Sequence, residues 1–175
     1  MDEWLLFDVE ANGFKPDTIW MVVITNLLTR KRDTYVGLDQ VAVAIDRLMN
    51  ARMVSGHYIK GYDLKVFNNL CGVTIPHDKV IDTLELSRNL CDLPKHGLEY
   101  WGDLLGLPKL KQPRFDVFTE SMVPYCERDV DLNVLVFDVL FDLVTEKNLW
   151  EQYPLLAEYN LALAERREVL MENQA

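Results

Sequence analysis

The sequence is poor in cysteine, and its cysteines form no recognisable pattern. Cys71, Cys91 and Cys126 are odd in number and widely spaced. They therefore predict neither a disulfide framework nor a paired-cysteine zinc site, and reduced thiols in a cytosolic compartment are the simplest interpretation. His57 and His77 have no ligand partner at metal spacing, which also disfavours zinc.

Long apolar segments and export signals are also missing. The first residues are acidic and lead into a short strand-like run, without a basic segment, a long apolar stretch or a small-residue cleavage site. We therefore expect neither secretion nor membrane insertion, and a cytoplasmic location.

Basic residues are scarce relative to acidic ones. The chain has 18 Lys and Arg residues against 28 Asp and Glu residues, which gives a formal net charge of −10. Nucleic-acid binders usually neutralise phosphates with Lys and Arg, so this charge alone argues against such a partner. The objection weakens if several carboxylates surround divalent cations, because the metal is then the largest local positive charge. The composition predicts weak, metal-dependent binding.

The chain does contain enough apolar material for one packed domain, since 49% of its 175 residues are hydrophobic. Three β-compatible runs come first, at 4–10, 19–25 and 34–36, and they predict three meandering strands. A helix capped by Asp39 and a buried strand at 53–56 follow, which implies a parallel crossover.

Further helices are expected at 62–70, 96–105 and about 124–146, with a short strand or turn at 80–83. The fold class is therefore α/β: a mixed sheet of three antiparallel strands followed by parallel crossovers, flanked by helices.

Acidic residues recur at three points of this plan. Asp8 and Glu10 lie two apart on the first strand, so both side chains leave the same face and repel each other unless a cation lies between them. Asp63 opens a helix after the fourth strand, where capping is an equally good explanation. Tyr125 and Asp129 are four apart on the long helix and therefore share one of its faces.

The ordered set resembles the DEDDy exonucleases of the RNase H-like superfamily, and it looks closest to the proofreading domain of phage-type family A DNA polymerases. The resemblance covers roughly residues 4–146 and rests on five motifs, which are Phe7-Asp8-Val9-Glu10-Ala11-Asn12, Tyr62-Asp63, Ile81-Asp82-Thr83-Leu84-Glu85-Leu86-Ser87-Arg88, His96-Gly97-Leu98-Glu99-Tyr100-Trp101-Gly102 and Tyr125-Cys126-Glu127-Arg128-Asp129-Val130.

The resemblance implies a 3′→5′ exonuclease that releases nucleoside 5′-monophosphates from single-stranded or frayed DNA. It implies two Mg²⁺ or Mn²⁺ ions, about 4 Å apart, held by Asp8, Glu10, Asp63 and Asp129. Tyr125, with Glu10, would orient the attacking water. A polymerase subunit or domain is a conceivable partner, and the compartment would be bacterial or phage-infected host cytosol.

One departure from the family pattern concerns the substrate. Related domains often carry an Asn a few residues before the third acid, where this chain has Tyr58 and Ile59. This leaves open how the terminal nucleotide is contacted. Asp82 and His96 match the family, and we interpret them as structural, with Asp82 ordering a strand end and His96 capping a helix.

Two basic stretches carry weaker signals. Lys109, Lys111 and Arg114 lie close together before the long helix, and they are candidate substrate-binding residues on a mobile loop, although such loops are often only solvated. The stretch from Arg30 to Arg32 is interpreted as a solvated hairpin turn.

The last segment predicts an amphipathic helix that opens at Pro154, with Leu156, Leu163 and Leu170 seven apart. We expect an exonuclease domain at 1–147 and a helical extension at 148–175, either packed on the domain or serving as an interface. The oligomeric state stays open.

Two other functions remain open at this stage. The same four acids serve RNA-trimming relatives, and no residue here identifies a 2′-hydroxyl contact. A non-catalytic docking module that kept the fold is the alternative from a different class, against which the intact set of acids argues.

Overall fold

Five strands form one mixed sheet through the protein. In the computed structural model, which describes residues 2–174, they are β1 (Trp4–Ala11), β2 (Ile19–Asn26), β3 (Arg32–Val36), β4 (Met53–Gly56) and β5 (Val80–Asp82). The order across the sheet is β3-β2-β1-β4-β5. β2 pairs antiparallel with β1 and β3, whereas β4 pairs parallel with β1 and β5. The predicted α/β class and mixed sheet are confirmed.

In the described part of the chain, six α-helices accompany the sheet: α1 (Leu38–Asn50), α2 (Asp63–Cys71), α3 (Thr83–Leu90), α4 (Leu98–Leu105), α5 (Met122–Glu146) and α6 (Pro154–Glu172). A 3-10 turn, His77–Lys79, precedes β5. α3 was not predicted from the sequence. The predicted capping of α1 by Asp39 was wrong, because Gly37 is the N-cap of α1 and no side chain caps that helix. Within residues 2–174, no helix is both long and apolar enough to cross a bilayer.

The alternation of side chains along β1 separates two apolar cores. Leu5, Phe7 and Val9 belong to the core that contains residues of α1 and α2. Trp4 and Leu6 belong to the other core, which contains residues of α3, α5 and α6. Since side chains alternate along a strand, Asp8 and Glu10 continue the second set. Both acids therefore point to the side of the sheet on which α5 packs.

Ion pairs connect the β2–β3 hairpin to α5. Arg30 pairs with Asp138 at 2.9 Å, and Arg32 pairs with Glu127 at 3.1 Å. Thr34 Oγ1 also donates to Glu127 Oε1 at 2.7 Å. Residues 30–32 are exposed, as expected of a solvated turn, and Arg30 and Arg32 in addition form these ion pairs with α5. Exposed pairs of this kind contribute little stability individually, but together they specify where α5 lies against the sheet.

The C-terminal helix α6 has an inner and an outer half. In the inner half, Leu155, Leu156 and Tyr159 are buried, and the Tyr159 ring lies 5.4 Å from that of Phe137 and 5.1 Å from that of Phe141, between ring centroids. In the outer half, Leu170 is 47% exposed. The prediction of a single apolar stripe along this helix was wrong, because Leu156 at its beginning is buried in the core whereas Leu170 at its end is exposed to solvent. The domain division at residue 147 stays a prediction.

We predict that two truncations of α6 differ sharply in stability. Removing residues 149–175 deletes three buried side chains, each contributing about 1.5–3 kcal/mol, so the free energy of unfolding should fall by at least about 4 kcal/mol. Removing residues 165–175 deletes mainly exposed residues and should change it by less than about 1 kcal/mol. Urea unfolding followed by circular dichroism measures both, and equal effects would contradict this division of the helix.

Candidate active site

Two acidic residues, Asp8 and Glu10, lie on the last part of β1, with their side chains in the interior of the protein. Glu10 is buried and Asp8 is partly buried. Burial and the neighbouring carboxylate of Asp129 raise the pKa of Asp8 to about 7. Burial and repulsion from Asp8, Asp129 and Asp63 raise the pKa of Glu10 to about 9. The negative charges of these two carboxylates are therefore only partly compensated by the surrounding residues.

The third acid, Asp63, is joined directly to β1. It is the first residue of α2 and is buried, and its Oδ1 accepts a hydrogen bond from the backbone N–H of Val9 at 3.1 Å. Val9 lies between Asp8 and Glu10, so this bond brings the third carboxylate beside the other two. Burial and the charge of Asp8 raise the pKa of Asp63 well above its usual value. Helix capping does not explain Asp63, because the N-cap residue is Tyr62.

The fourth acid, Asp129, comes from α5 and is buried. Its Oδ2 lies 2.8 Å from Lys109 Nζ. Its Oδ1 is buried and has no hydrogen-bond partner among the described residues. Burial raises the pKa of Asp129, and the Lys109 ammonium opposes this shift. An unpartnered carboxylate oxygen in the interior is costly, and a bound cation would satisfy it.

Tyr125 lies one helical turn before Asp129 and is also buried. The Phe115 ring packs edge-on against it, with 6.0 Å between centroids. Burial and the Asp129 charge raise the pKa of the Tyr125 hydroxyl, although Lys109 lowers it. The phenol therefore keeps its proton at neutral pH and can donate a hydrogen bond.

Of the three predicted substrate-binding residues, the structure brings Lys109 to the acids. Its ammonium lies 5.1 Å from the Tyr125 ring centroid in addition to its contact with Asp129. Burial lowers its pKa, but Asp129 outweighs this effect and holds the pKa above the ordinary value. Arg128 supports the arrangement, because its Nη1 donates to the Pro108 carbonyl at 2.7 Å.

The other two basic residues face solvent. Arg114 is exposed, and its Nε donates to Asp116 Oδ1 at 2.9 Å. Lys111 is exposed and forms no salt bridge with any acid in the described part of the chain. The structure therefore does not join these two residues to the acid cluster.

Cys126 is a neighbour of the acids that sequence reasoning missed. It is buried, and its Sγ lies 3.7 Å from Asp8 Oδ2. Ligand atoms of Asp8, Glu10 and Cys126 lie within 4.8 Å of one another. Burial raises the pKa of the thiol well above its usual value, which makes it a donor to Asp8 and not a thiolate ligand. Its spacing three residues before Asp129, on the same helix face, was the available signal.

Asp82 and His96 both have structural contacts, as interpreted from the sequence. The Asp82 carboxylate accepts the N–H groups of Tyr58, Lys60 and Leu84 at 2.9–3.0 Å, so it orders the end of β5 and caps α3. The role given to His96 was wrong in detail. Its Nδ1 bonds to Ser87 Oγ at 2.7 Å, and Gly97 is the N-cap of α4.

The donor set fits a hard divalent cation. Asp8, Glu10, Asp63 and Asp129 supply carboxylate oxygens, the ligands that Mg²⁺ and Mn²⁺ prefer. Their raised pKa values and the unpartnered Asp129 Oδ1 show a site in which further positive charge would be stabilising.

We predict that the metal-free protein becomes more stable as the pH is lowered from about 9 to about 7. In the unfolded chain these carboxyls have pKa values of about 4. The folded state therefore binds more protons in this window, and its free energy of unfolding falls as the pH rises through the pKa values of Asp8 (about 7) and Glu10 (about 9).

Thermal melting in EDTA across this window provides the measurement. Glu10→Gln is the matched control, because it keeps the shape and removes the charge, so its melting temperature should depend less on pH. A wild-type melting temperature that stays constant or rises with pH would contradict the assignment of the buried charges.

Comparisons with known proteins show a shared fold. No protein-family model and no curated sequence matches the chain. A nuclease solved in its apo form matches with a TM-score of 0.68 at 20% identity, covering 97% of this chain and 85% of its own. Brucella melitensis NrnC with bound Mg²⁺ matches with a TM-score of 0.65 at 19% identity, covering 98% of this chain and 87% of NrnC. The same protein bound to pGG matches with a TM-score of 0.61 at 21% identity, covering 98% of this chain and 86% of NrnC.

The catalytic core of RRP6 from Trypanosoma brucei matches with a TM-score of 0.64 at 16% identity, covering 91% of this chain and 45% of that chain. Identities this low establish the fold alone. The RNase H-like architecture expected from the sequence is confirmed, and the likeness to phage-type family A polymerases stays a prediction.

Proposed function

We propose that this protein is a divalent-metal-dependent 3′→5′ exonuclease acting on single-stranded or frayed DNA. The observation that carries the proposal is the meeting of four carboxylates from three separate elements in one buried cluster, with Tyr125 beside them. Folding alone would not favour such a concentration of negative charge, whereas phosphodiester hydrolysis by metal ions requires it.

Asp8, Glu10, Asp63 and Asp129 would hold two Mg²⁺ or Mn²⁺ ions. When bound, such ions activate a water molecule and stabilise the leaving oxygen. The Mg²⁺-bound form of NrnC, which shares the fold, supports this choice of metal. The protein contributes the remaining elements: it positions the ligands on the sheet and α5, and it limits access of bulk water through burial.

Tyr125 and Lys109 would act on the reacting groups. The protonated Tyr125 hydroxyl can orient the attacking water together with Glu10. Lys109 keeps its positive charge beside the acids, which suits contact with a phosphate oxygen. Lys111 and Arg114 would contact the strand further away, from the exposed loop.

A single strand fits the surroundings of the acids. Phe14, in the loop after β1, is 98% exposed and offers a face on which a terminal base can stack. Tyr62, the residue before Asp63, ties this loop down, because its hydroxyl donates to the Gly13 carbonyl at 2.7 Å. Release of nucleoside 5′-monophosphates from the 3′ end in the cytoplasm completes the proposal.

RNA trimming is the second candidate. NrnC was solved bound to pGG, and a catalytic core of RRP6 also shares the fold, so RNA has to be tested beside DNA as a substrate of this protein. A docking role is less well supported, because a docking module does not require a cluster of buried acids. The exposed outer half of α6 is the surface on which a polymerase subunit would bind.

We predict removal of nucleotides from the 3′ end, in the presence of Mg²⁺ or Mn²⁺ but not EDTA, with a preference for single strands over blunt duplex. Matched 5′-labelled and 3′-labelled DNA and RNA strands, separated on denaturing gels, give direction and sugar preference. Asp8→Asn and Asp129→Asn should lower the rate at least a hundredfold, because each removes a metal ligand.

Asp142→Asn is the matched control, since Asp142 is an exposed acid on the same helix as Asp129. It should retain nearly full activity, and circular dichroism should show an unchanged fold in all three variants. If Asp8→Asn or Asp129→Asn kept more than about a tenth of the activity, a loss of only about 1.4 kcal/mol of barrier, that residue would leave the catalytic set.

We predict that Tyr125→Phe slows cleavage by about a hundredfold while metal binding stays within a few-fold of wild type. The change removes one hydroxyl and keeps the ring that packs on Phe115. Single-turnover rates and Mn²⁺ titrations measure the two effects separately. A collapse of Mn²⁺ affinity would assign Tyr125 to the support of the ligands instead.

A further inference from the structure

The loop between β4 and α2, residues 57–62, lies at the same end of the sheet as the acids. β4 runs parallel to β1 with Leu6 opposite Ser55, and parallel to β5 with Gly56 opposite Asp82. Asp8 is two residues beyond Leu6, and the loop leaves the sheet one residue beyond Gly56. Its far end reaches Asp63. The loop therefore borders the acid cluster on its β4 and β5 side.

This loop is held rigidly. Asp82 Oδ1 and Oδ2 accept the backbone N–H groups of Tyr58 and Lys60, both at 3.0 Å. The Tyr58 carbonyl accepts the N–H groups of Gly61 and Tyr62 at 3.0 and 3.1 Å. Ile59 is fully buried and anchors the loop in the core. The direction in which Tyr58 projects is therefore determined by the backbone and not by a flexible segment.

Tyr58 occupies a costly conformation and is nevertheless exposed. Its φ is +61°, in the left-handed region where glycine or asparagine would be less strained. Its side chain is 54% exposed, so burial does not compensate for the strain. The ring lies against Gly61, where an added Cβ would come within 2.2 Å of two ring carbons. Strain retained beside a candidate active site is a reason to look for a ligand.

A cavity of about 210 Å³ opens beside this ring, and its lining includes Lys60, Glu85, Arg88 and Asn89. Lys60 Nζ pairs with Glu85 at 2.7 Å. Arg88 is exposed, and no acid in residues 2–174 forms a salt bridge with it. The cavity therefore combines an open aromatic surface with a guanidinium group that can bind a phosphate.

We propose that Tyr58 and Arg88 form a subsite for the nucleotide that precedes the terminal one in a single-stranded substrate. The base stacks on the Tyr58 ring, and Arg88 contacts the adjoining phosphate. This inference rests on the proposed exonuclease function and adds to it the residues that select a strand over a lone nucleotide. Stacking on an aromatic ring accepts every base, so the subsite confers length preference and not sequence preference.

The test is a double-mutant cycle, in which two forms of the protein are each measured on two forms of the substrate. Wild type and Tyr58→Ala are compared on a trinucleotide and on the same trinucleotide with an abasic second residue. Tyr58→Ala should raise KM for the intact strand about tenfold, or about 1.4 kcal/mol, with little change in kcat. On the abasic strand it should cost nothing further, because stacking is already lost. Tyr58→Phe should behave as wild type.

A methyl ester of a nucleoside 5′-monophosphate controls for the chemistry, since it carries neither an upstream base nor another aromatic group in its place. Wild type, Tyr58→Ala and Arg88→Gln should hydrolyse it equally, whereas Arg88→Gln should raise KM for the trinucleotide. Thermal melting shows whether each variant is folded. Equal losses by Tyr58→Ala on the intact and abasic strands would overturn the subsite.

A binding readout separates the subsite from the proposed function. In the Asp8→Asn background, 2-aminopurine at the second position should lose fluorescence when the strand binds, and additional Tyr58→Ala should abolish this quenching. Quenching without cleavage of any substrate by the unmodified protein would overturn the exonuclease proposal and leave the subsite intact. Cleavage without Tyr58-dependent quenching would overturn the subsite and leave the exonuclease proposal intact.

Discussion

Repulsion among four clustered carboxylates is the constraint on which the architecture depends. Asp8 and Glu10 lie on β1, whereas Asp63 and Asp129 come from α2 and α5, and each acid would be more stable in water than beside the others. The surrounding contacts hold them together: the Val9 amide binds Asp63, Lys109 binds Asp129, and ion pairs tie the β2–β3 hairpin to α5. These contacts keep the acids in place.

The acidic composition has a simple spatial explanation. Several arginines form ion pairs that connect secondary-structure elements, as Arg30 and Arg32 do with α5 and Arg47 does with Glu3 at 2.8 Å. They are therefore not available as a broad positive surface. Near the site, Lys109 is itself paired with Asp129, and Arg88 forms no salt bridge with an acid of residues 2–174. A protein arranged in this way would rely on short-range contacts with its substrate and would show a shallow dependence of binding on salt.

The mixed sheet and the shared faces of the paired acids could be predicted from the sequence, because both depend on local periodicity, whereas the inclusion of Asp63 rested on the resemblance to the DEDDy exonucleases. Asp8 and Glu10 share a face through strand alternation, and Tyr125 and Asp129 through helical spacing. Features set by tertiary contacts could not be predicted. α3 follows β5 without an intervening loop, so no turn signal marked its start. The place of Lys109 depends on Arg128 holding Pro108.

The 25-residue length of α5 limits how this protein can change over time. One helix carries Tyr125 and Asp129 near its beginning and Phe137 and Phe141 further along, where they pack on α6. Each residue turns a helix by about 100°, so a single insertion between Asp129 and Phe137 would misalign either the acids or the core. The irregular stretch before α5 is not constrained by helical periodicity in this way. Insertions and deletions can therefore accumulate around Lys111 and Arg114, which leaves this exposed loop free to diverge while the helix behind it stays fixed in length.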